Sequence, residues 1–133
     1  MRTNNPILRG LRVMVVEDDY YIAAEICGAL RASGAEIVGP SPDISHALHL
    51  AKTERIDCAV LDINLHGDLA FVLADELQQR GTPSIFATGY DGSVLPLEFS
   101  AHVRLEKPVN LSALLRTVQS LCSRSATGVV GTA

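Results

Sequence analysis

The chain has 133 residues, of which 47% are hydrophobic, 5% aromatic and 20% charged, with 15 acids against 11 bases for a net charge of −4. That is one domain's worth of chain, enough to bury about two thirds of its extended surface, and too apolar for an intrinsically disordered protein. The acidic balance excludes the clustered basic surface by which nucleic acid is ordinarily bound, so no nucleic-acid partner is expected.

Leu11 to Val16 (LRVMVV) is a short apolar run rich in β-branched residues that stops at Glu17, Asp18 and Asp19. It reads as a buried strand running into a charged loop. Tyr20 to Arg31 carries Ile22, Ala23, Ile26, Cys27 and Leu30 at helical spacing, with Ser33-Gly34 as the stop. Ala35 to Val38 is a second strand closed by Gly39-Pro40. Ser41-Pro42-Asp43 reads as a helix start with Ser41 as the cap, followed by the stripe Ile44, Ala47, Leu48 and Ala51.

Ile56 to Leu61 is a third strand ending on Asp62, after which Asp68 caps a helix carrying Leu69, Val72, Leu73 and Leu77, stopped at Gly81. Pro83 to Ala87 is a fourth strand leading into Thr88-Gly89-Tyr90. Ser93 to Ala101 contains Pro96 and little periodicity, so any helix there is short or broken. His102 to Leu105 is a fifth, weaker strand before Glu106-Lys107-Pro108. Asn110 caps a last helix with Leu111, Leu114, Leu115, Val118 and Leu121 on one face. Residues 1–10 form an N-terminal extension, 11–122 the domain, and 123–133 a tail expected to be disordered.

Five βα units in succession predict an α/β fold with a parallel sheet, right-handed crossovers and helices on both faces. Ligands of such folds lie beyond the carboxyl ends of the strands. Glu17 and Asp18 follow the first strand, Asp62 the third, Thr88 the fourth and Lys107 the fifth, so all five belong to one edge. Three converging carboxylates need a compensating cation, and Mg²⁺, with its preference for oxygen ligands, suits them. Lys107 and Thr88 on the same edge suit an anion with several oxygens, such as phosphate, and a carboxylate there could attack phosphorus to give an acyl phosphate. Each group alone has a plainer reading as a turn or cap residue. It is their joint placement that carries weight.

The chain resembles the receiver domains of two-component response regulators through V-V-E-D-D at 15–19, L-D-I-N-L at 61–65, A-T-G at 87–89 and E-K-P at 106–108. The resemblance covers residues 11 to 122. It implies a CheY-like, doubly wound (βα)5 sheet in the flavodoxin-like order 2-1-3-4-5. It also implies that Asp62 is the phosphoacceptor, that Asp18 and Asp62 ligate Mg²⁺ directly with the Asn64 backbone carbonyl, that Glu17 reaches the ion through water, and that Thr88 and Lys107 bind phosphoryl oxygens. Asp19 stands one place past the acidic pair and is left out.

Receivers commonly carry Tyr or Phe three residues before the lysine, whereas Arg104 stands here. Phe86-Ala-Thr-Gly-Tyr90 is similar to the motif of a subgroup of mostly stand-alone receivers, which makes Tyr90, or the segment around Pro96, the candidate reporter of phosphorylation. Tyr90 and Asn64 are also candidates for tuning dephosphorylation. The implied partners are a sensor histidine kinase or a histidine phosphotransfer protein, and, because about eleven residues follow Cys122, a separate protein as the output. A cytoplasmic monomer or weak dimer, without a membrane partner, is expected, since no apolar run nears the roughly 18 residues a span needs.

The alternative is a Mg²⁺-dependent phosphatase or phosphotransferase with an Asp nucleophile, for which Asn64 is a poor acid or base. A flavodoxin-like cofactor binder is disfavoured by the acids. His46 and His49 lack a third ligand for a metal. Cys27, Cys58 and Cys122, far apart and without C-x-x-C spacing, read as buried structural thiols.

Overall fold

The computed structural model describes the backbone of residues 7–63, 68–89 and 103–132, and the side chains of these except 68–69 and 123–132. Five strands and four helices are formed by the described residues: β1 Arg12–Val16, α1 Tyr20–Ala32, β2 Glu36–Ser41, α2 Ile44–Thr53, β3 Cys58–Asp62, α3 Asp68–Gln79, β4 Ser84–Thr88, β5 Val103–Glu106 and α4 Leu111–Thr132. The strands make one sheet in the order β2-β1-β3-β4-β5, every pairing parallel. This is the flavodoxin-like α/β arrangement that the alternation of strand and helix patterns predicts.

Because side chains alternate across a strand and both faces of this sheet are covered, the central strands are apolar at nearly every position. Met14, Val16, Ala59, Leu61 and Phe86 pack with Ala47 and Ala51 of α2 and Leu73 and Leu77 of α3. Val13, Val15, Cys58, Val60 and Ile85 pack on the other face with Ile26 and Leu30 of α1 and Leu114 and Val118 of α4. Phe86 is fully buried and meets Phe71 edge-on, ring centroids 6.1 Å apart.

The strands start one or two residues later than the sequence pattern places them, β2 runs on to Ser41, and the caps move accordingly. Ser41 is the last residue of β2, and Asp43 is the N-cap of α2, accepting from the Ser45 amide at 2.7 Å. A carboxylate reaches that amide from the extended Asp43 backbone, while Ser41 is fully buried in sheet pairing with Val16. Asp19 caps α1, accepting from the amides of Tyr21 and Ile22 at 2.9 and 3.1 Å. Asn110 caps α4 as the pattern predicts, through the Ala113 amide at 2.9 Å.

Two ends differ from expectation. Leu8 lies in the core, its amide donating to the Ser33 carbonyl at 2.8 Å, so the packed unit starts before Leu11. The backbone of α4 continues through Thr132, although the apolar stripe ends near Cys122. No proline interrupts it, and extending an existing helix costs far less than nucleating one. Residues 1–6, 64–67 with Asn64, the region from Tyr90 through Pro96 to His102, and the side chain of Asp68, expected as a cap, lie outside the described residues.

At the amino edge of the sheet Arg12 ties three segments together, its guanidinium meeting Glu36 at 2.6 Å, Glu54 at 2.7 Å and the Arg55 carbonyl at 2.7 Å. Function is thus left to the opposite, carboxyl edge. Since Phe86 is the largest fully buried side chain among the described residues and the strand it occupies ends on Thr88, Phe86→Ala is expected to lower unfolding stability by about 3–5 kcal/mol in urea titrations. A loss under about 1 kcal/mol would contradict this account of the core.

Candidate phosphoryl-acceptor site

Strand register delivers the site. Val16 pairs with Leu61, so Glu17 and Asp62 emerge side by side at the carboxyl ends of β1 and β3. Asp62 pairs with Ala87, which sets Thr88 next along the same edge, and Thr88 pairs with Glu106. The Lys107 amide donates to the Thr88 carbonyl at 2.7 Å, which fixes the lysine just past β5. Glu17, Asp62 and Thr88 are buried, and Asp18 is exposed at the mouth. Five residues taken from four different strand ends therefore converge as the sequence predicts.

One oxygen from each of Glu17, Asp18 and Asp62 lies within 4.8 Å of the others, a spacing that a single cation could bridge. The Lys107 ammonium sits between the two buried acids, 3.0 Å from Asp62 Oδ2 and 3.1 Å from Glu17 Oε1. Glu17 Oε1 is buried and, although in charge contact with Lys107, receives no well-directed hydrogen bond. A buried carboxylate oxygen with unused lone pairs is costly unless something else approaches it. Its other oxygen, Oε2, accepts from the Asp19 amide at 3.0 Å. The donor set is all oxygen and anionic, which fits a hard divalent ion such as Mg²⁺.

Burial pushes the Glu17 carboxyl above its ordinary value, and the nearby Asp62 charge adds to the rise. The Asp19 amide and Lys107 oppose it without cancelling it. Lys107 loses hydration, which works against its charge, but its contacts with Asp62 and Glu17 outweigh that and hold its pKa above the usual lysine value.

Two supports were not anticipated. The Glu17 amide donates to the Ser41 carbonyl at 3.0 Å, so β2 anchors the acidic loop from behind. Gly39 makes that possible: at φ +104° it carries the irregular pairing between Met14 and Val16, and a Cβ there would meet the Ser41 amide at 2.8 Å and the Val15 carbonyl at 3.1 Å. The Gly39-Pro40 pair marks a turn in the sequence, and only the structure shows it inside the strand. Asp19 caps α1 rather than joining the cluster, and Asp followed three residues on by an apolar helical stripe is the signal that identifies such a cap. Arg104 is exposed on β5. Asn64 and Tyr90 lie outside the described residues, so their placement relative to Asp62 is not part of this geometry.

A model of the response regulator receiver domain family matches residues 13–119. Among curated proteins, the transcriptional regulatory protein PrrA of Mycobacterium tuberculosis is 34% identical over 118 residues, covering 85% of this chain and 50% of that protein. The transcriptional regulatory protein PdtaR of the same species is 27% identical over 117 residues, covering 85% of this chain and 57% of that protein. The chain spans about half the length of these curated relatives. Among solved structures, a CheY-like receiver domain protein from Methanospirillum hungatei JF-1 superposes with a TM-score of 0.78 at 25% identity, over 89% of this chain and 98% of that one. SdrG from Sphingomonas melonis Fr1 gives 0.73 at 28% identity, over 84% and 95%; it has also been solved in a BeF3-activated conformation. The motifs at the sheet edge, the strand order and a family match running from β1 into α4 agree, and the chain belongs to the response regulator receiver domain family.

Proposed function

We propose that this chain is a phosphorylatable switch of a two-component pathway in which Asp62 accepts a phosphoryl group from a histidine kinase or a histidine phosphotransfer protein, with Mg²⁺ held by Glu17, Asp18 and Asp62. The observation that carries this reading is the buried Asp62 carboxylate, 3.0 Å from the Lys107 ammonium and within bridging distance of two further acids. When bound, Mg²⁺ would neutralise charge on the acids and on the arriving phosphoryl oxygens.

The residues divide the work by chemistry. A carboxylate oxygen of Asp62 attacks phosphorus as the bond from phosphorus to the donor nitrogen breaks, and the donor imidazole takes up a proton on leaving. Lys107 carries a positive charge already placed at the acceptor, so it can follow the charge from carboxylate to phosphoryl oxygen without crossing the site. Thr88, buried at the end of β4, offers a hydroxyl donor for a second phosphoryl oxygen. Glu17 and Asp18 bind the metal. Output through protein contacts, or onward transfer of the phosphoryl group, fits a switch whose signal is a change at one sheet edge. Arg104 replaces the aromatic that commonly reports such a change, which leaves Tyr90 as the candidate reporter and Tyr90 with Asn64 as candidates for tuning hydrolysis.

Incubation of the full chain with Mg²⁺ and acetyl phosphate is expected to add one phosphoryl group, seen by intact mass, that is labile to base. Asp62→Asn is expected to abolish it, and Asp18→Ala to lower the rate at limiting Mg²⁺ by tenfold or more, on the order of the loss that follows removal of a ligand's support. Equal labelling of Asp62→Asn would overturn the assignment.

The electrostatics give a separate expectation. A carboxyl whose folded pKa is raised costs stability above that pKa, and the cost disappears as pH falls through it. Glu17→Gln is therefore expected to be more stable than wild type at neutral pH without divalent ions, on the order of 1 kcal/mol or a few degrees in Tm. The gap should narrow towards acid pH, and added Mg²⁺ should stabilise wild type more than the variant. Thermal melts with and without Mg²⁺ across that range would show it, and a variant less stable than wild type throughout would refute it.

A further inference from the structure

Cys58 and Cys122 are far apart in the sequence and meet in the fold. Cys58 opens β3 with its side chain fully buried, on the sheet face covered by α1 and α4. Cys122 lies one helical turn beyond Val118 on the same buried stripe of α4 and packs against that same cluster. Its Sγ is 3.9 Å from the carbonyl oxygen of Asp57, the residue just before Cys58, so the two cysteines are neighbours where α4 packs on β3. Neither is in a disulfide, and Cys122 is partly exposed, so a small reagent can reach one member of the pair.

We propose that Cys58 and Cys122 form an oxidation site at which a hydroperoxide produces a disulfide tying α4 to β3, the strand that ends on Asp62. The inference stands apart from the phosphoryl chemistry.

The roles of the two sulfurs differ. The neighbouring Cys58 thiol lowers the Cys122 pKa, although burial and the Asp57 charge work the other way. The adjoining Cys122 thiol and burial push Cys58 well up, against a smaller opposing effect from the Ala59 backbone. The partly exposed Cys122 is the thiol a peroxide can reach, so it attacks first and the buried Cys58 resolves. The Cys122 thiolate takes the terminal oxygen of the hydroperoxide as the O–O bond breaks, giving a sulfenic acid and, after protonation, water or an alcohol. The Cys58 sulfur then bonds to the sulfenyl sulfur, the S–O bond breaks, and hydroxide leaves with the Cys58 proton as water. Two thiols lose two electrons and the hydroperoxide gains them. Cys27, on the buried face of α1 with its thiol pushed up by burial despite the nearby Arg31, is not suited to begin such a reaction.

The test uses the full reduced chain, kept dilute and exposed to hydrogen peroxide. Intact mass is expected to fall by two hydrogens, and a peptide map to join Cys58 to Cys122, with reversal by dithiothreitol. The cross-link closes a long loop, so the oxidised protein should melt at a higher temperature. Cys122→Ser should abolish the change and Cys27→Ala should leave it intact. Cys58→Ala should stop at a sulfenic acid on Cys122 that dimedone traps. If that variant does not fold, the map of the wild-type protein decides. Both thiols still alkylated by iodoacetamide after peroxide, a bridge that includes Cys27, sulfenic acid without a disulfide in wild type, or bridges only between molecules would each overturn the proposal.

Discussion

Two carboxylates buried at one sheet edge share a single ammonium, and much of the structure exists to hold that arrangement. Glu17 and Asp62 each come within about 3 Å of Lys107 Nζ, and Asp18 waits at the mouth, so the pocket carries more negative charge than the lysine offsets. Charges this close in a poorly hydrated site interact several times more strongly than in water. The surplus is not a flaw to be relaxed by turning a side chain outwards, because the strand ends fix the backbone beneath each residue. It is a standing demand for a cation, which ties metal binding and phosphoryl chemistry to the same few oxygens.

The sheet keeps the charges from drifting apart. Parallel pairing of β1, β3, β4 and β5 aligns their carboxyl ends, so β1 supplies two acids and each of the others one group to a common edge. The apolar cost is carried elsewhere: both faces of the central strands are sealed by helices, and the polar end is the only part of β3 that a charged partner must enter. Behind the site, the bulge at Gly39 lets Ser41 hold the Glu17 amide, so even the edge of the sheet that supplies no reactive side chain contributes to position. At the opposite edge the Arg12 network fastens β1 to β2 and to the approach to β3. Stability and chemistry are thereby separated to the two ends of the strands.

Much of this was legible in the residues. Strands β1, β3 and β4 announce themselves as β-branched or apolar runs ending on a polar group, and the alternation with amphipathic helices dictates a parallel sheet. The convergence of Glu17, Asp18, Asp62, Thr88 and Lys107 follows from that topology, since each stands at or just past the end of a strand. What depends on three-dimensional registration was not legible. Ser41 carries the signature of a helix cap, yet the Gly39 bulge draws it into β2 and leaves the cap to Asp43. The continuation of α4 past Cys122 has no periodic signal, because its apolar stripe has ended. Nor could spacing pair Cys58 with Cys122: only the docking of α4 on β3 does so.

If Asp62 is the acceptor, the acidic edge and Lys107 bind a tetrahedral phosphoryl group on it with Mg²⁺. Fluorine NMR of the chain with beryllium fluoride and Mg²⁺ tests it directly, since that anion mimics the phosphoryl group while leaving turnover out of the measurement. Slowly exchanging protein-bound fluoride resonances are expected that vanish on chelating Mg²⁺ and are absent in Asp62→Asn. Absence of bound resonances in the folded wild-type protein, or their persistence without Mg²⁺ or without the Asp62 carboxylate, would contradict it.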